Sequence, residues 1–153
     1  MKQILILAFF PIFLRAQTQQ PIANFSGHWV AQSGALSSTI GIKAQCSNVD
    51  IVIEQTDTQI LTKSYKSDCG LWGVHWGPIP QEIRNGKIYE KGVEVGTITS
   101  DTLITVSTDG SYKYAYNLRL KKAADGHVVM DSYYGTQGAA GAIVTEATHE
   151  KVP

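Results

Sequence analysis

The sequence predicts an all-β protein, an antiparallel up-and-down β-barrel of about eight to ten strands. Three observations point there. Apolar and polar residues alternate in short runs along most of the chain. Turn-forming pairs such as Asn85-Gly86 and Lys91-Gly92 separate those runs. No stretch keeps a helical apolar period for more than about two turns. A meander of this kind has two unpaired edges, and closing the last strand onto the first removes both.

With 153 residues the chain is long enough for one domain with a sizeable core and short for two. Hydrophobic residues make up 43% and charged residues 17%, a globular balance. Lys+Arg and Asp+Glu are 13 each. A neutral chain without a basic run does not suit nucleic acid or an anionic membrane surface, both of which need clustered cations.

The first 16 residues have the pattern of a signal peptide. Met1-Lys2 carries one positive charge, Ile4 to Leu14 is apolar, and Leu14-Arg15-Ala16 before Gln17 suits cleavage. A membrane span needs about 20 apolar residues, more than this run supplies. No cysteine follows it to take a lipid, and no second apolar run of that kind occurs. The expectation is export to the periplasm or beyond, without a membrane span in the mature chain. Residues 17–24 are polar and read as a loose arm, and 25–153 as the barrel.

The first strand is Phe25 to Val30, with Gly27 and Trp29 on one face and His28 on the other. Ser33-Gly34 interrupts it, and Ile40 and Ile42 begin a second strand leading to Cys46. Val49, Ile51 and Ile53 mark a half-buried strand that turns at Thr56-Asp57-Thr58 and returns from Ile60 to Ser67. Two registers compete in that hairpin. A two-residue loop sets Cys46 opposite Cys69, whereas a three-residue loop aligns the apolar face with Leu61 and Tyr65; the apolar face is preferred, with a bulge to reconcile the two. A Cys46–Cys69 bridge would close a loop of 23 residues and add about 3 kcal/mol. It agrees with an oxidising destination, and two buried free thiols are the alternative.

Cys69 to Pro80, rich in Gly and Pro with Trp72 and Trp76, reads as a short strand and a wide loop over one barrel end. Turns at Asn85-Gly86, Lys91-Gly92 and Ser100-Asp101 pair Ile83 with Ile88, Ile88 with Val95 and Val95 with Val106. A three-residue loop at Asp109-Gly110-Ser111 sets Val106 beside Tyr114. Tyr112, Tyr114, Tyr116, Leu118 and Leu120 then form one apolar stripe. Ala123 to Gly126 turns into Val128–Tyr134, Gly135 to Gly141 is a flexible link, and Ala142 to Lys151 closes the meander.

Phe25-x-Gly27-x-Trp29 at the head of a β-meander resembles the Gly-x-Trp opening of the lipocalins and lipocalin-like barrels. The resemblance implies that Trp29 plugs the closed end and that an arginine from a late strand lies against it; Arg119 is the candidate. The Thr-Asp-Tyr turn motif of the lipocalins proper is absent, Thr56-Asp57-Thr58 being a fragment of it. The periplasmic inhibitors of bacterial metalloproteases are similar in size, motif and single disulfide. Likeness to them implies a hydrolase partner and an inhibitory N-terminal arm.

No catalytic set is visible. His28, His75, His127 and His149 are scattered, and the two cysteines have no metal-ligand spacing, so neither a metal nor another cofactor is expected. No Gly-x-Ser-x-Gly is present, and Asp131, between Val129 and Tyr133, is the one carboxylate with an inward reading, which the alternation at Val128-Val129-Met130 does not fix. The candidate ligand contacts are Tyr112, Tyr114 and Tyr116 with Tyr133 or Tyr134, joined by Trp72 and Trp76. The tyrosines fit a pocket for a small apolar molecule, or a filled core with hydroxyls reaching solvent. The tryptophans fit a lid, a docking surface or core plugs.

Overall fold

The computed structural model describes residues 21–153, so the expected signal peptide (1–16) and residues 17–20 of the expected arm lie outside the described residues. Eleven strands follow one another: β1 Gly27–Ser38, β2 Lys43–Gln55, β3 Gln59–Cys69, β4 Trp72–Trp76, β5 Ile79–Arg84, β6 Lys87–Glu90, β7 Val93–Ile98, β8 Thr102–Asp109, β9 Tyr112–Lys122, β10 Val128–Gly138 and β11 Gly141–Val152. All pairings are antiparallel. β11 pairs with β1, and β2 with β3, so ten strands close into a barrel while β4 pairs with β3 alone. Among the described residues there is no helix. The fold class is therefore as expected.

The closed end is built from the chain's start. Trp29 is 1% exposed and donates its indole N–H to the Phe25 carbonyl at 2.9 Å. Phe25 and Ala23 are buried beside it. The Gln55 side chain ties this segment down, accepting from Phe25 N at 2.9 Å and donating to Ala23 O at 2.7 Å. Ala23 N also donates to Thr99 O at 2.7 Å. The end of the expected arm is thus part of the plug, because its apolar residues and backbone groups find partners across the barrel base. Arg119 does not lie against Trp29. It faces outward from β9, 67% exposed in its side chain, with Asp101 at 3.8 Å. The cation over the Trp29 ring is Lys151, its Nζ 5.5 Å from the centroid.

The competing registers of β2 and β3 coexist in different segments. The turn is the two-residue Asp57-Thr58 loop, with Gln55 opposite Ile60 and Ile53 opposite Thr62. A bulge after Val52 then shifts the pairing so that Ile51 faces Tyr65, and a second shift restores the first register at Ser47 and Asp68. Cys46 and Cys69 consequently meet and are bridged. Leu61 is only half-buried; Ile60 and Thr62 are the buried pair, since the short loop turns them inward.

Asn85-Gly86 and Lys91-Gly92 are tight turns with both residues at positive φ (51° and 76°, 50° and 80°). Ile83 pairs with Ile88 as expected. Beyond it the expected register fails by one residue: Ile88 pairs with Gly96, and Val95 bulges out of the ladder. A Cβ on Gly96 would run into the Ile104 carbonyl, so the strands approach there only because residue 96 is glycine. The shift turns Leu103 and Thr105 inward and leaves Ile104 and Val106 exposed. The β8–β9 loop is also shorter than expected, with Asp109 opposite Tyr112 and Thr105 opposite Tyr116.

Two longer hairpins replace expected breaks. β1 runs on through Gly34 to Ser38 over a local register shift, so Ile40 is an exposed turn residue rather than a strand residue. Gly135 to Gly138 belongs to β10, which pairs with β11 up to Gly138 and Gly141.

Candidate functional site

The wall of the barrel is complete near the plugged end and open near the other. β5, lower on β3, leads through short β6 and β7 to β8, pairing Gln59–Thr62 of β3 at its start. Higher up, Tyr65–Cys69 of β3 pair with β4, whose far edge has no strand beside it. The last residues of β8, Ser107 to Asp109, pair only with β9. Between these two edges, above the β6–β7 turn, lies a cleft of about 670 Å³. Trp76, Thr62, Gln81, Thr105, Ser107, Tyr114, Tyr116 and Tyr134 line its inner part, and Glu90, Lys91, Glu94 and Asp109 its mouth.

Trp76, Tyr116 and Tyr134 form its floor, with Tyr65 fully buried behind them. Tyr65 and Trp76 stack at 5.2 Å with planes 6° apart. Tyr116 stands edge-on to both, at 6.3 Å and 5.2 Å. Tyr134 tilts against Tyr65 at 5.1 Å and Trp76 at 5.4 Å. Offset and edge-on contacts of this kind hold rings in defined positions, so the floor is a preformed surface. The two neighbouring registers create it: Ile51 opposite Tyr65 and Tyr65 opposite Trp76 bring β3 and β4 rings together. Tyr116 opposite both Tyr134 and Thr105 supplies the facing side.

Several polar atoms in this cluster are buried and have no hydrogen-bond partner in the protein: Tyr65 Oη, Tyr116 Oη, Trp76 Nε1, Ser67 Oγ and Thr145 Oγ1. Burial pushes the Tyr65 phenol up to about 12; the Ser67 and Thr145 hydroxyls flank it and oppose the rise, but neither is aligned for a hydrogen bond. Burial likewise raises the Tyr116 phenol well above its ordinary value, with Tyr65 adding to the effect and Thr62 opposing it. Tyr134 is raised too, chiefly by burial. These phenols are neutral at physiological pH and offer both a donor and an acceptor. Unpaired groups of this kind are costly in a closed core unless water or a ligand satisfies them.

The residues picked out from the sequence divide. Tyr114, Tyr116 and Trp76 come together at the cleft. Tyr112 is on the same strand but at the rim, 51% exposed, and contacts Tyr114 at 6.4 Å. Trp72 stands at the top of β4, 43% exposed, beside the disulfide rather than over the cleft. Tyr133 faces outward, and Tyr134 is the inward member of that pair. The reason is the β10 register: Met130 and Ser132 pair with Leu120 and Leu118, which puts Tyr134 on their face. Asp131 is outward for the same reason, held by Lys121 Nζ at 2.7 Å and the Thr148 hydroxyl at 2.6 Å. The sequence marks Tyr65 as a core residue; its place at the centre of the ring cluster depends on the pairing of β3 with β4, the short strand expected after Cys69.

A second concavity of about 700 Å³ lies on the outer face, over Arg119, Lys121, Asp131 and Glu146. Its charges are of mixed sign and Lys121 is already paired with Asp131, so it offers a ligand little that water does not. Outward-facing ion pairs also include Lys63–Glu54 and Arg84–Glu82, unlike the apolar band of a lipid-facing barrel. Among the described residues no helix is long and apolar enough to cross a membrane, and no group of His, Cys, Asp and Glu is arranged to hold a metal.

No protein-family model and no curated protein matches the chain. The likeness to lipocalin-like barrels is one of architecture, a small closed antiparallel barrel with a Trp-plugged end.

Proposed function

We propose that the protein is an exported, non-catalytic binding module that takes a small molecule with an apolar, preferably aromatic, body into the cleft between β4 and β8. The observation that carries this reading is the coincidence of an opening of about 670 Å³ with a floor of preformed rings whose buried Trp76 Nε1 and Tyr116 Oη lack partners. The rings supply contact area and the polar atoms supply orientation. Export is supported by the leader pattern of residues 1–16 and by the Cys46–Cys69 bridge. The inhibitor alternative gains nothing comparable, since Ala23 and Phe25 are engaged at the plugged end.

The test is a titration with N-phenylnaphthylamine, a neutral dye that brightens in apolar sites. Saturable binding at one site per chain is expected, abolished by Ser107→Trp, which fills the cleft, and retained by Tyr133→Ala on the outer face. Binding that survives Ser107→Trp, or no binding at all, would refute the assignment.

A further inference from the structure

The proposed site has a charge bias at its mouth. Three carboxylates, Glu90, Glu94 and Asp109, face one lysine, Lys91, in a chain whose formal net charge is zero. Lys87 shares the Glu94 charge from outside at 2.8 Å. Glu90 receives only the Gln81 amide, at 3.3 Å, and among the described residues neither Glu90 nor Asp109 makes an ion pair. Acidic groups alone would be a solvated rim. Here a second, separate feature is present: Tyr116 lines the cleft and is 7% exposed, and its buried hydroxyl has no hydrogen-bond partner in the protein.

We propose that the ligand class of this cleft is an organic cation, an amine or quaternary ammonium carried on an aromatic or apolar body. The proposal rests on the binding reading above. An ammonium meets acceptor-bearing residues at every level: carboxylates at the mouth, Thr105 and Ser107 below, and Tyr116 at the floor. The faces of Trp76, Tyr114 and Tyr134 carry the negative part of the ring quadrupole and attract a desolvated cation. An anion would meet Lys91 and the Trp76 N–H against three like charges. Specificity therefore comes from repulsion of anions as much as from attraction.

The experiment compares three probes of one shape by calorimetry on the oxidised full-length mature protein: naphthylmethylammonium, naphthylmethanol and naphthylacetate. At low ionic strength the ammonium is expected to bind about tenfold tighter than the alcohol, and the acetate more weakly than either. Glu90→Gln combined with Asp109→Asn is expected to bring the ammonium-to-alcohol ratio to about one. On the unaltered protein, raising the salt concentration is expected to shrink the same ratio, which gives the test a form that needs no variant. Equal affinities for ammonium and alcohol, or a preference for acetate, would overturn the cation assignment while leaving the binding site standing. If none of the three binds, the binding reading fails and the cation assignment fails with it.

Discussion

Acid should loosen this barrel through a single buried side chain. His149 on β11 is 0% exposed, with Nε2 2.8 Å from the Ser132 hydroxyl and Nδ1 unpaired. Burial lowers its pKa from 6.5 to about 4, against opposing contributions from the Trp29 and Val49 backbones and the Asp50 and Asp131 carboxylates. The folded protein therefore keeps His149 neutral where the unfolded chain would protonate it. Stability tied to this group is complete above about pH 6.5 and is lost as pH falls towards 4. The full difference corresponds to about 3 kcal/mol, and about 2–3 kcal/mol of it is reached by about pH 4.5. Urea unfolding of wild type and His149→Gln between pH 7 and about pH 4.5 isolates it, because the carboxylates are common to both. Wild type should lose about 2–3 kcal/mol more than the variant over that range. A difference that stays flat with pH would refute the argument. His127 acts in the opposite sense: Asp125 first and Glu150 second raise its pKa, so its contribution is present in acid and fades as pH rises through that raised value.

Trp29→Ala should cost about 3–5 kcal/mol in a denaturant titration, while His28→Ala, which removes only an exposed pair with Asp50, should cost under about 1 kcal/mol. Replacing Cys46 and Cys69 together by Ala should lower stability by about 2–4 kcal/mol with the far-ultraviolet dichroism unchanged. Gly96→Ala should destabilise by more than about 2 kcal/mol, because its Cβ would meet the backbone of β8, whereas Gly92→Ala, with open space around it, should be limited to the strain of its positive φ.

The parts of the fold that were legible in the sequence are those fixed locally. Asn85-Gly86 and Lys91-Gly92 specify their turns because few residues accept positive φ twice in succession. The alternation of Val49, Ile51 and Ile53 specifies an inward face, and all three are buried. What the sequence did not show was the bulge in β7. One extra residue at Val95 reverses the facing of every later position in that strand, and the close approach of Gly96 to the Ile104 backbone that accompanies it is a tertiary event. The site was half visible for the same reason. Tyr114 and Tyr116 follow from alternation on β9, but choosing Tyr134 over Tyr133 needs the β10 register, and Tyr65 needs β4 beside it. The gap in the wall has no sequence signal, since it arises from β5, β6 and β7 all being shorter than β3 and β8 on either side.

The cleft itself is tested most directly by the indole N–H resonances of the three tryptophans in an amide-correlation spectrum recorded during titration with naphthylmethylammonium. Trp76 Nε1 is buried and unpaired at the cleft floor, Trp29 Nε1 is bonded to the Phe25 carbonyl at the plugged end, and Trp72 stands outside the cleft. The Trp76 signal should move saturably with the ligand while the Trp29 signal stays in place. A titration that moves Trp29 or Trp72 and leaves Trp76 unchanged would contradict the placement of the site.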